Sequence, residues 1–356
     1  MRVRWLFASV VLLVSIAAVS GAGALAARSR HGGSRYGAKG LSVAQIHSID
    51  ARHPARVIVV LRRQFAGLPA DRAHIWGRMA AVGPAEAALG SVIRGAGGRV
   101  LHTYRTLSAV SAVVTPGERQ RLACESDVAA VVSDVLASPP AQPQVPAARG
   151  TTLQAPGNGQ AVCPSNPSQP LVEPEGLSLI HADQVGGVDG SGVKVGFVAD
   201  GIDVNNPDFI RPDGSHVITD YRDFTGEGTN TPTYDFEAFG DASSIAAQGS
   251  TVHDLSNFVD PAHGLPTGCD VILRGVAPGT SLAAMKVFGN SRTPLSTILQ
   301  AMDWAVSVDH VDVLNESFGI DALPDTGQNL VVQFNRQAVA AGVTVVAGSG
   351  DEGAGY

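Results

Sequence analysis

Three short stretches of this 356-residue chain hold carboxylates at spacings that suit proton transfer. Asp200-Gly201-Ile202-Asp203 follows directly on the apolar run Val193–Val198, so its acids stand at the end of a β-rich segment. Glu237-Ala238-Phe239-Gly240-Asp241 spaces two acids so that both side chains share one face if the segment is helical. Gly348-Ser349-Gly350-Asp351-Glu352-Gly353 puts a carboxylate in a glycine-rich loop. Carboxylates act as general acids and bases, and as bases they are weak ones suited to acidic pH. Each also has a structural reading: Asp200 or Asp203 as the cap of a turn before Gly201, Asp241 as the N-cap of a helix. Cys124, Cys163 and Cys269 have no metal-ligand spacing; Cys163 and Cys269 could pair, or all three are free thiols. No stretch repeats the Asp-x-Asp-x-Asp-Gly loop pattern, so no metal and no cofactor is expected, with a structural calcium ion left open.

The elements that must position these residues fall into two regions of opposite charge. Residues 1–170 hold 18 Lys and Arg against 7 Asp and Glu, whereas residues 171–356 hold 7 against 25. The two halves should attract each other, and with the arginines scattered, nucleic acid is not an expected partner. A chain that is 44% hydrophobic and 16% charged excludes disorder, and 41 Gly with 21 Pro point to a turn-rich globular protein of about two domains.

Residues 1–26 read as a secretory signal: Arg2 and Arg4, the apolar run Trp5–Val19, then small residues ending in Ala24-Leu25-Ala26. Secretion and no stable membrane association after cleavage are therefore expected. Residues 27–54 form a polar linker. Within 55–137 the runs Arg56–Leu61, Arg99–Tyr104, Ser108–Thr115 and Val128–Val132 are β-rich, with helical stretches around Met79–Ile93 and Gly117–Cys124. That order, β-α-β-β-α-β, implies a small α+β ferredoxin-like sheet with both helices on one face. Residues 138–174 have a Pro/Gly-rich linker composition. From 175 onward apolar β runs such as Val193–Val198, Ser281–Val287, Val311–Leu314 and Val343–Ala347 alternate with helical runs such as Thr297–Val306 and Leu330–Ala341. The alternation argues an α/β domain, a parallel sheet with helices on both faces and its site at the carboxyl ends of the strands.

Four segments in this region resemble the subtilisin-like serine proteases in the right order. They are Gly192–Asp203 continuing to Asn206-Pro207-Asp208-Phe209, Gly275–Val287, Asp312-Val313-Leu314-Asn315-Glu316-Ser317-Phe318-Gly319, and Val345–Gly353. The resemblance implies a secreted endopeptidase precursor acting on proteins or peptides. It also implies that residues 55–137 are an inhibitory propeptide-like domain and that Asn315, Ser317 and Gly319 line the substrate cleft.

The departures from that pattern are as informative as the matches. The family's catalytic Asp position falls on Ala199, with Asp200 next to it. The family's His segment aligns with Asp241-Ala242-Ser243-Ser244-Ile245-Ala246-Ala247, which puts a carboxylate where the imidazole belongs. Asp351 stands at the oxyanion-hole Asn position and would have to be protonated to donate there. Both features resemble the sedolisins, the serine-carboxyl relatives, and imply an acidic working pH with Asp200, Asp241 and Asp351 as the catalytic group. Asp200 facing Asp241 across the cleft is the arrangement expected, with the Glu237 and Asp241 pair as its variant. The family's Gly-Thr-Ser-x-Ala-x-Pro segment does not occur; Gly279-Thr280-Ser281-Leu282-Ala283-Ala284 imitates it inside a core strand, and the peptidase domain is expected to be truncated before the serine segment. Two other functions stay open: an inactive pseudoprotease or binding module on the same fold, and a His-dependent enzyme using His253 or His263.

Overall fold

The computed structural model describes residues 54–137, 163–174, 176–228, 237–259, 264–319 and 329–348. The basic region opens with strand β1 (Ala55–Leu61), helix α1 (Ile75–Gly95), strands β2 (Arg99–Thr103) and β3 (Ala109–Val114), helix α2 (Pro116–Ala123) and strand β4 (Val128–Ser133), followed by the two-residue β5 (Leu136–Ala137). The pairing is antiparallel in the order β2-β3-β1-β4, the ferredoxin-like arrangement read from the sequence. Gly97, at φ 98°, ends α1 in a conformation that favours glycine, and its amide bonds back to the Arg94 carbonyl. Thr115 starts α2 with a capping box shared with Glu118. Strand alternation sorts β1 between two cores. Val57, Val59 and Leu61 pack under the helices with Leu89, Ile93 and Leu122, while Ile58 and Val60 join the core that contains Val287, Leu295, Ile298 and Met302. The small sheet is thus buried on both faces.

The acidic region begins with β6 (Leu171–Glu173) and continues through β7 (Lys194–Ala199), β8 (Ile218–Asp223), helix α3 (Glu237–Ala246), β9 (Gln248–Asp254), β10 (Asp270–Arg274), β11 (Ser281–Lys286), β12 (Thr293–Pro294), helix α4 (Leu295–Ser307), β13 (Val313–Glu316), helix α5 (Leu330–Ala340) and β14 (Thr344–Ala347). Five strands form one parallel sheet in the order β14-β13-β7-β11-β8. Alternate residues feed opposite cores: Phe197 and Leu282 meet α3 through Ala238 and Ala242, whereas Val198, Met285 and Leu314 meet α4 and α5 through Ile298 and Phe334. Helices therefore cover both faces, as the unbroken apolar strands require.

A second, three-stranded sheet, β6-β10-β9, forms from segments whose composition reads as linker and insertion. Here Gly/Pro punctuation hides strands too short to show a period. Cys163 is disulfide-bonded to Cys269 across 106 residues of sequence, so of the two cysteine readings the paired one is found; Cys124 is free and exposed. Closing a loop of that length constrains the unfolded chain by about 4 kcal/mol. Replacing Cys163 by Ser is expected to lower Tm accordingly, with dithiothreitol lowering the wild type to the same value and leaving the variant unmoved.

The two regions are joined through α4. Pro294 precedes this helix and offers no side-chain cap. Asp134, from the end of the small sheet, takes that place: its carboxylate accepts from the Ser296 amide at 2.8 Å and the Ser296 hydroxyl at 2.7 Å. Arg56 holds Asp134 from the other side at 2.8 Å. Two turns further along, buried Asp303 accepts from the amides of Arg105 and Thr106 at 3.1 and 2.6 Å. Beyond Asp134, β5 pairs antiparallel with β12.

Candidate active site

Asp200 follows the last residue of β7, at the carboxyl edge of the parallel sheet. It is buried, 3% exposed, and its Oδ1 accepts from the Ala238 amide at 2.7 Å. Ala238 is the second residue of α3, so Asp200 places its charge on the amino end of that helix, where free amides and the helix dipole favour an anion. Asp203, by contrast, makes a local turn with the Asn205 amide, its structural reading.

Helix α3 is pinned at both ends. The amides of Gly275, Val276 and Ala277 bond the carbonyls of Ala247, Ser244 and Ile245 at its carboxyl end. A Cβ on Gly275 would lie 2.2 Å from the Ala246 nitrogen, so only glycine lets the two backbones meet. Ala238, Ala242 and Ala246, four residues apart, are fully buried against the sheet. The helix sits close to the strands because these side chains are small, and the close seat carries Asp241 to the sheet edge. The Glu237–Asp241 segment is helical despite Gly240, so both acids share a turn.

Asp241 lies inside α3, and the N-terminal position belongs to Asp200. Its Oδ1 accepts from the Ser317 hydroxyl at 2.8 Å, and Ser317 in turn accepts from the Asn315 amide at 2.9 Å. Burial pushes the Asp241 carboxyl up to about 6; neighbouring Glu237 and Asp200 push the same way, while Ser317 and Asn315 favour the ionised form. Asp200, Glu237 and Asp241 thus form one electrostatic group against a strand end that bears two residues expected at the substrate cleft. Carboxylates gathered at a strand end in this way suit general acid–base work. Gly319, the third cleft residue, is exposed beyond the end of β13, with nothing within 4 Å of a Cβ placed on it.

Asp351 lies outside the described residues, as does His263. His253 is on β9, and its Nε2 is bonded to buried Asp208 at 3.0 Å. His216 is bonded to the Val204 carbonyl. Ser281 opens β11, paired with Lys194 at the amino end of β7, so it stands at the opposite end of the sheet from Asp200. Among the described residues, no group of three or more His, Cys, Asp or Glu is placed to hold a metal ion, and no helix is long and apolar enough to cross a membrane.

Residues 190–355 match the family model described as the subtilase family. Subtilisin E of Bacillus subtilis (strain 168) is 30% identical over 187 residues, covering 51% of this chain and 40% of that protein. Subtilisin DY of Bacillus licheniformis is 32% identical over 183 residues, covering 51% of this chain and 56% of that protein. The chain spans about half the length of the curated relatives it matches. A solved structure, the epidermin leader peptide processing serine protease (EpiP) from Staphylococcus aureus, aligns with 85% of this chain and 61% of its own at a TM-score of 0.49 and 14% identity. The segment that carries the carboxylate group, residues 190–355, is thus similar to the subtilase family over slightly less than half of the chain, on an α/β fold like that of the subtilisins.

Proposed function

We propose that this chain belongs to a secreted serine endopeptidase precursor in which carboxylates replace the family's histidine. The observation that carries the reading is the Asp200, Glu237 and Asp241 group, held by α3 against Ser317 at the carboxyl edge of the sheet. In this reading Asp241 is the base. It takes the proton of a serine hydroxyl as the serine oxygen bonds to the scissile carbonyl carbon, and the proton passes to the amine as the C–N bond breaks. Water then hydrolyses the acyl ester by the same exchange. The nucleophile is the serine of the family's Gly-Thr-Ser-x-Ala-x-Pro segment, a motif not found in residues 1–356. Protonated Asp351 donates to the developing oxyanion.

Residues 55–137 act as the inhibitory propeptide. Asp134 and Asp303 join that domain to α4, and the pairing of β5 with β12 supports a tail that leaves the small sheet along the acidic region in an extended, strand-like form. The Cys163–Cys269 bond supports an oxidising destination, in keeping with the signal-like amino terminus.

The test uses the product of the complete open reading frame that encodes residues 1–356. Expected are hydrolysis of unfolded protein between about pH 4 and 7 and covalent labelling by a fluorophosphonate over the same range. Absence of both across pH 3–8 would sink the peptidase reading and favour an inactive binding module, which Ala199 at the family's Asp position otherwise supports. Activity that survives Asp241→Asn but not His253→Ala would return the role to histidine.

A further inference from the structure

Glu316 is a charged residue type at a core position. Leu314, two residues earlier on β13, faces α5 and is fully buried with Phe334. Strand alternation sends Glu316 to the same side, and it is 3% exposed. Its Oε2 accepts from the Asn335 Nδ2 on α5 at 3.0 Å. Its Oε1 and the Oδ1 of Asn335 are both buried without a hydrogen-bond partner among the described residues. Two adjacent residues with one unmet acceptor each are satisfied together by one proton on the carboxyl.

We propose that Glu316 is a positioning residue kept as the neutral acid, its Oε1 hydroxyl donating to Asn335 Oδ1 while its Oε2 accepts from Asn335 Nδ2. The paired acid and amide clamp the end of β13 from beneath. That end carries Asn315 and Ser317 on its other face, and the Glu316 carbonyl accepts from the Gly348 amide at 3.1 Å, tying β13 to the end of β14. Ionising Glu316 would leave a buried charge with a single donor directly under the Asp241 contact.

Among the described residues the surroundings offer no compensating cation. The residues paired with Glu316 are Val198 on β7 and Ala347 on β14. On α5 the next residue, Arg336, is exposed. On α4 Asp303 is engaged by Arg105 and Thr106. Asp241 lies across the strand, on the α3 side. Burial accordingly pushes the Glu316 carboxyl up to about 7, with the Asn335 amide opposing in part. The consequence for catalysis, loss of site geometry on the alkaline side, rests on the peptidase reading; the pairing itself does not.

The experiment compares melting of the full chain, wild type against Glu316→Gln, between pH 5 and 8. Gln carries a permanent donor for Asn335 Oδ1 and an acceptor for Nδ2, so it mimics the protonated acid at every pH. The wild-type loss of Tm over this range is expected to exceed the variant's by roughly 5 °C. Parallel curves would overturn the proposal. Should Glu316→Gln not fold, Glu316→Met, also neutral throughout, is expected to melt lower yet show the same flattening, and an undiminished slope overturns the proposal equally. Melting requires no turnover, so a chain without peptidase activity fails the functional reading while this comparison still decides. Where turnover is measured, the alkaline limb of kcat/KM is expected to move to higher pH in Glu316→Gln.

Discussion

Asp241→Asn is expected to lower kcat by about 10²- to 10⁴-fold with little change in KM, the range that loss of a general base produces. The amide is nearly isosteric and still accepts from Ser317 through its oxygen, so α3 and the cleft strand keep their contact. What is lost is the proton acceptor. The wild-type rate should rise with pH as the carboxyl ionises near 6, and the residual rate of the variant should lack that limb. A variant with wild-type kcat, or one that keeps the limb, would remove Asp241 from the reaction. Asp200→Asn is expected to act differently. The helix amide at Ala238 keeps an acceptor but loses its charge, so α3 should loosen and stability should fall along with rate.

The second large effect concerns pH and stability, and it centres on Glu86. This residue lies on α1, 8% exposed. Burial pushes its carboxyl up to about 8, and Asp303 across the boundary between the two regions pushes the same way, with Arg78 and two backbone amides opposing. The native chain therefore holds a proton that the unfolded chain has released above about 4.5. Where the native state binds more protons, stability falls as pH rises. Glu86 costs nothing below the unfolded value and its full penalty above the folded one, so the loss runs from about pH 4.5 to 8. Each pH unit of that interval is worth about 1.4 kcal/mol, which sets an upper limit of about 5 kcal/mol. Melting followed from pH 4.5 to 8 should show a falling Tm, and Glu86→Gln should make the fall shallower. A wild-type Tm that climbs over this interval would refute the assignment.

Much of the fold is legible in the sequence because periodicity and punctuation act locally. Arg56–Leu61 alternates residues between two cores, Gly95–Gly98 stops α1, and the apolar runs of β7, β11 and β13 can only be strands covered on both sides. The second sheet escapes because β6 is three residues long and owes its existence to partners a hundred residues away. The site is partly legible. Spacing finds Glu237 and Asp241, and position along the β7 run finds Asp200, but neither shows that Asp200 starts the helix bearing the other two. That is a tertiary contact, made by the close seat of Ala238 and Ala242. Glu316 leaves a fainter trace: an acid two residues after Leu314 on a strand whose neighbours on that side are apolar. Asp134 leaves none, because a cap lent by one domain to another domain's helix follows no local pattern.

The disulfide has a further consequence for how the protein would appear on a gel. The covalent ring from Cys163 to Cys269 encloses β6 to β9, and with them Asp200, Glu237 and Asp241, while Asn315, Ser317 and Glu316 lie on the chain beyond it. A single cut anywhere inside the ring opens it without releasing a piece. Such a nicked molecule would run as one band without reductant and as two with it, whereas a cut between Ala137 and Cys163 would separate the small sheet under either condition.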